Sequence, residues 1–167
     1  ETFETLNSSP NDRYQYILPY YNLDWFIDQN YFDGSFNLNS NGANDLNNTN
    51  KLETSIINDL NYYSSDGYFN NGIKSNYSIN FKNLNSIGKN SSKYKSSPQI
   101  EFISLFNAEL SLPLIKKFEN YSNLITPKLS FRFNPNDMKD YSNSNNKINI
   151  DNIFSTNRLG LSDTYES

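Results

Sequence analysis

Apolar and polar residues alternate with a period of two over long stretches of this chain. From residue 73 to 82, Ile73, Tyr77, Ile79 and Phe81 fall on one side, with Ser75 among them, and Lys74, Asn76, Ser78, Asn80 and Lys82 on the other. Successive strand side chains point to opposite faces, so the spacing predicts a strand with one oily and one wet side. The same split recurs over residues 125–134. There Ile125, Pro127, Leu129, Phe131 and Phe133 oppose Thr126, Lys128, Ser130, Arg132 and Asn134. Between 100 and 112, Ile100, Phe102, Phe106, Ala108, Leu110 and Leu112 oppose Glu101, Asn107, Glu109 and Ser111, with Ile103 and Leu105 blurring the polar side. Less regular strands are expected over 13–23, 35–42 and 52–63, and a seventh near Arg158.

The connections are rich in turn formers. Asp33-Gly34, Asp66-Gly67 and Asn71-Gly72 sit beside the strands, where Asx-Gly pairs supply positive φ. Long polar loops are expected near 85–98 and 134–157. The chain has no apolar run of the length a transmembrane helix needs, and no segment of helical amphipathic period. The predicted fold is all-β: an antiparallel meander of long strands, treated as one domain over residues 1–167.

Period two alone does not separate a water-soluble sandwich from a membrane barrel. Three features favour the barrel. Several strands reach the length of about ten residues that crosses a bilayer at a tilt, against a soluble mean of about five or six. The wet faces carry Lys, Arg, Glu and Asn in mid-strand, as a water-filled lumen requires. Aromatics gather at the expected strand ends, as Tyr20, Tyr21, Trp25 and Phe26 and again Tyr62, Tyr63, Tyr68 and Phe69, in the manner of interfacial girdles. The plainer reading of the aromatics is that Tyr and Phe form strands well.

On the barrel reading, Lys74, Asn76, Asn80, Lys82, Lys128, Ser130 and Arg132 face the lumen, and Ile73, Tyr77, Ile79, Phe81, Leu129, Phe131 and Phe133 face lipid. Six or seven strands fall short of the smallest closed bacterial barrel, about eight. The first residue is Glu1, so a piece of a longer protein is expected. Pro19 and Pro127 lie in strand patterns, where a lost ladder donor points to a bulge or a strand end.

Composition narrows the chemistry. Cys and His are both absent, which removes disulfides, Cys/His metal sites and Ser-His or Cys-His nucleophilic pairs. Glu101 and Glu109 remain as a carboxylate pair for hydrolysis, but nothing places them across a cleft, so neither an enzyme nor a cofactor is expected. The net charge of −4 and dispersed cations disfavour nucleic acid. Mean hydropathy is −0.77, which suggests disorder, but aromatics make up 16% of the chain and argue for a folded sheet.

The C-terminal run carries a more specific signal. Asn152-Ile153-Phe154, then Asn157-Arg158-Leu159, then Asp163 and Glu166 resemble a signature of the barrel of the lipopolysaccharide-assembly protein LptD family, also called organic solvent tolerance protein. Ile153 and Leu159 stand where the family often has Leu and Phe, and the family glycine would fall at Leu161 while this chain has Gly160. Upstream, Tyr16-Ile17-Leu18-Pro19, Ser97-Pro98, Leu112-Pro113-Leu114, Thr126-Pro127-Lys128 and Asn134-Pro135-Asn136 are similar to family strand openings and ends, in consistent order.

The resemblance implies a translocon in the outer membrane of a Gram-negative bacterium that inserts lipopolysaccharide into the outer leaflet. It implies an LptE-like plug lipoprotein inside the barrel and an LptA-like periplasmic bridge reached through a separate domain. It also implies that Arg158, Asp163 and Glu166 form an ionic cluster in an extracellular loop, the plainer reading being scattered solvated charges. The wet-face cations would meet lipopolysaccharide phosphates or acidic sugars, or simply make a wet wall. The alternatives are another outer-membrane barrel, such as a porin or receptor channel, and a secreted glycan-binding β-sandwich using exposed Tyr and Trp25.

Overall fold

The alternating segments become strands. A computed structural model describes residues 2–4, 14–47, 50–137, 147–158 and 160–165. Its elements are β1 (Thr2–Glu4), β2 (Tyr14–Tyr31), β3 (Gly34–Asn47), β4 (Lys51–Ser64), β5 (Gly67–Tyr68), β6 (Lys74–Lys89), β7 (Gln99–Ser111), β8 (Leu114–Lys117), β9 (Ser122–Ile125) and β10 (Lys128–Phe133), with no helix among the described residues. The main sheet runs β1-β2-β3-β4-β6-β7-β10, with β5 paired to β6, and β8 and β9 form a separate hairpin. The result is an antiparallel meander whose sheet is open, not closed into a barrel.

The strands outrun the expected ones. β2 has 18 residues, β3 and β4 have 14 each, β6 has 16 and β7 has 13. Tyr20, Tyr21, Trp25 and Phe26 therefore lie inside β2 and not at a strand end, which corrects the girdle expected there. The reason is chemical. Asn and Asp are poor strand formers, but here they bond across the ladder. Asn37 Nδ2 donates to Asp24 Oδ1 at 2.7 Å, and Gln15 Nε2 donates to Asp45 Oδ2 at 2.7 Å. Asn83 Oδ1 accepts from Asn58 Nδ2 across the ladder at 3.2 Å and from Asn85 Nδ2 along β6 at 2.6 Å; β6 continues to Lys89, and the loop expected from 85 begins at Asn90. Among the described residues no strand forms near Arg158. Residues 149–157 make turns there, stitched by asparagine side chains.

Two glycines matter for their missing side chains. The β2–β3 turn takes its positive φ at Phe32 (56°) and Asp33 (54°), as a two-residue type I′ hairpin requires. Gly34 follows the turn, and a Cβ there would run into the Tyr62 ring. A Cβ on Gly42 would lie 2.5 Å from Tyr21 Cε1. Pro127 stands just before β10, with its carbonyl accepting from Leu112 N at 3.1 Å, so it opens a strand. Pro19 sits within β2, three residues beyond Tyr16, which pairs with Thr2 of β1.

Contacts divide the chain into two units. Unit 1 comprises Glu1–Phe26, Asn37–Leu60 and Phe81–Ile103; Ile57, Leu84 and Ile103 are its buried apolar residues. Unit 2 comprises Ile27–Phe36, Asn61–Asn80 and Ser104–Ser167, with Leu105, Tyr62 and Tyr165 buried.

Candidate functional site

On β6, polar side chains are enclosed while aromatic ones on the opposite side are exposed. In unit 2, Asn80 is 2% exposed while Tyr77, on the opposite side of β6, is 40% exposed. Asn80 Nδ2 donates to Asn61 Oδ1 at 2.7 Å, and Ser78 Oγ donates to Asn80 Oδ1 at 3.4 Å. In unit 1, Lys82 is 5% exposed while the adjacent Phe81 is 51% exposed. The Lys82 ammonium reaches Asp59 Oδ1 at 2.6 Å, which offsets the cost of burying it. The enclosed side of β6 thus carries Ser78, Asn80, Lys82 and Ser86, with the apolar Leu84 among them at 3% exposed.

β10 shows the same alternation beside β7, though Lys128 on its polar side is exposed. Residues opposite one another in an antiparallel ladder share a face, and Leu129 pairs with Leu110, Phe131 with Ala108 and Phe133 with Phe106. Leu129, Phe131, Phe133 and Leu110 are exposed. The other face pairs Lys128 with Ser111, Ser130 with Glu109 and Arg132 with Asn107. Lys128 Nζ reaches Glu109 Oε1 at 3.1 Å, and Ser130 Oγ donates to Asn107 Oδ1 at 3.1 Å.

Five rings cross unit 2 in one row: Phe36–Tyr62 at 4.9 Å between centroids, Tyr62–Tyr77 at 5.7 Å, Tyr77–Phe106 at 6.5 Å and Phe106–Phe131 at 6.3 Å. These spacings suit tilted aromatic contacts. Tyr62 is fixed by its hydroxyl, which donates to Phe32 O at 2.6 Å, and by the space above Gly34. Sequence reading found the tyrosines but not the row, because cross-strand register is absent from a linear pattern. The apolar face is also not uniform. In unit 1 a polar row crosses it, from Tyr21 through Ser40 and Asn58 to Asn83, each bonded to the next.

The remaining candidates sit as follows. Ile73 precedes β6 and, with Leu110, Leu112, Pro127 and Leu129, lines a small groove of about 270 Å³. Ile79 is half-buried. Lys74 Nζ pairs with Asp66 Oδ2 at 2.7 Å, and Asn76 Nδ2 donates to Asp66 Oδ1 at 3.4 Å. The hydrogen bond from Lys74 holds the Asp66 carboxyl below its ordinary pKa.

The C-terminal motif folds against β10. Arg132 Nη1 donates to Ser155 O at 3.1 Å and Nη2 to Thr156 O at 2.8 Å, and Lys128 Nζ lies 5.3 Å from the Phe154 ring centroid. Asn152 Nδ2 clasps Lys147 O at 2.9 Å and Arg158 O at 3.0 Å, while Asn157 exchanges hydrogen bonds with the Leu161 backbone. The two motif asparagines therefore shape the loop. Asp163 is half-buried, and Leu159 and Glu166 lie outside the described residues. Two of the cations expected on the wet face, Lys128 and Arg132, are thus engaged by Glu109, Phe154 and the 155–156 backbone.

No family model, curated protein or solved structure matches the chain.

Proposed function

We propose that this chain forms part of the wall of an outer-membrane β-barrel, and that the barrel belongs to the lipopolysaccharide translocon to which the 152–166 motif points. The burial of polar side chains on β6 carries the reading: Asn80 and Lys82 are enclosed, as are the apolar Leu84, Ile103 and Leu105, while Phe81, Leu129 and Phe131 are exposed. A sandwich buries its apolar faces, whereas a barrel wall turns them to lipid and keeps its lumen polar. Strands of 13 residues or more also exceed the roughly ten that cross a bilayer.

The work of such a wall is physical: no bond is made or broken. Lipopolysaccharide has a glycan that needs a hydrated path and acyl chains that need an oily one, and a two-faced sheet offers both. An LptE-like plug within the barrel and an LptA-like bridge on the periplasmic side are the partners this reading brings. A porin or receptor channel is the second reading, because the same burial pattern serves any barrel. Capture of an LptE-type lipoprotein by the membrane-assembled protein distinguishes the two.

Cysteine substitution of the bilayer-assembled protein tests the facing itself. Leu129→Cys and Phe133→Cys are expected to react with a lipid-soluble maleimide and to resist a charged, water-soluble one, and Ser130→Cys to do the reverse. Ready reaction of all three with the charged reagent contradicts the proposal.

A further inference from the structure

We propose that the loop joining β6 to β7 is a binding site for the phosphate group of a phosphorylated glycan. Residues 88–97 read Gly-Lys-Asn-Ser-Ser-Lys-Tyr-Lys-Ser-Ser, with three lysines and no acidic residue, in a chain whose net charge is −4. The loop borders an open basin of about 650 Å³ lined by Ser91, Ser92, Lys93, Tyr94, Lys95 and Ser96, among others. That volume falls in the usual range of small-ligand sites, about 300–1,000 Å³, and suits a phosphosugar better than a bare ion.

The basin is built by the fold. Gly88 N donates to Lys95 O at 2.8 Å, and a Cβ on Gly88 would lie 2.7 Å from both Ser91 Cβ and Tyr94 O, so the two limbs close on a bare glycine. Ser91 Oγ accepts from Lys93 N at 2.9 Å and Tyr94 N at 3.0 Å, and donates to Glu53 Oε1 at 2.6 Å. Asn90 Nδ2 donates to Asn50 O at 3.0 Å, which ties the loop to the β3–β4 connection. Glu53 is itself paired with Lys51 at 3.0 Å. Lys93 Nζ lies 4.9 Å from the Tyr94 ring centroid, a cation–π contact that orders the ammonium. Ammonium groups bind phosphate oxygens as point charges, and hydroxyls such as those of Ser92 and Ser96 both donate to phosphate and exchange hydrogen bonds with sugar hydroxyls, whereas the Ser91 hydroxyl is spent on Glu53 and the loop backbone. A preformed loop loses little entropy on binding.

The ligand has two sources, a free phosphosugar or the phosphorylated glycan of a glycolipid, and only the second rests on the proposed barrel function. The test is titration of the full chain in detergent micelles with glucose 1-phosphate and with glucose, followed by isothermal calorimetry. A parallel arm uses vesicles with and without lipopolysaccharide. Glucose 1-phosphate is expected to bind saturably and at least tenfold more tightly than glucose. Lys93→Ala with Lys95→Ala is expected to weaken it at least tenfold, while Lys116→Ala with Lys117→Ala, on the β8–β9 hairpin, leaves it unchanged. Lysine-dependent binding to lipopolysaccharide vesicles but not to glucose 1-phosphate assigns the glycolipid source; the opposite pattern assigns the free sugar. Absence of binding in both arms, or equal loss in the two double variants, overturns the site. Because maleimide labelling of Leu129→Cys reads the sheet's faces and not this loop, a failed site and a failed barrel give different results.

Discussion

At the scale of single residues, the exposed and enclosed members of one strand make opposite predictions. Phe131 is exposed on β10 and Ser130, beside it, is half-buried on the other face. In a bilayer, Phe131→Lys is expected to cost about 2–4 kcal/mol if the residue lies near the midplane, whereas Ser130→Lys costs little. Urea titration of the lipid-inserted protein measures both. Lys82 is a second case. It is enclosed and paired with Asp59, so Lys82→Met leaves a carboxylate uncompensated and is expected to cost about 3 kcal/mol. Asp59→Asn combined with Lys82→Met should recover most of that loss in the same titration. If the single and double variants are equally unstable, the ion pair is not what holds Lys82 inside.

At the scale of elements, what sets each strand's length is the partner its polar side chains find. Asp24, Asp45, Asn83 and Asn85 are poor strand formers by type, yet all four stay in strands: Asp24, Asp45 and Asn83 accept hydrogen bonds from neighbouring strands, and Asn85 bonds to Asn83 on its own strand. The β2–β3 hairpin depends on a different device, the seating of Tyr62 over Gly34. Gly34→Ala forces that ring away and is expected to cost about 1–3 kcal/mol, seen as a lower unfolding midpoint. The connection after β4 carries a pH dependence. Asp66 has its pKa lowered from 3.8 by the hydrogen bond from Lys74, so the folded state favours the ionised form. The contribution is therefore present above pH about 4 and is lost as pH falls through the depressed value. Asp66→Asn should flatten the unfolding midpoint between pH 5 and 2, within about the acid range that carboxylates govern; an unchanged slope shows that other carboxyls set it.

At the scale of the whole molecule, the sequence was readable in kind and less so in extent. The alternation at 73–82 and 128–133 was sufficient to assign faces, because each residue's side is fixed by its neighbour's. It could not reveal that Leu84, Ile103 and Leu105 are as deeply enclosed as Asn80 and Lys82, since packing is absent from a linear pattern. The five-ring row needed register, and the basic basin needed the Gly88 closure that brings its limbs together. The strand expected near Arg158 gives way to turns, because Asn152 Nδ2 takes the Arg158 carbonyl and Asn157 Oδ1 takes the Leu161 amide.

The central claim is that the apolar face of the sheet touches acyl chains. Trp25 is the single tryptophan, is exposed, and by strand alternation shares the face on which Tyr21 covers Gly42. Its fluorescence in bilayers of brominated phospholipid, compared with unbrominated bilayers, measures that contact directly. The account predicts strong quenching by bromine and weak quenching by aqueous iodide; strong iodide quenching with no effect of bromine would contradict it.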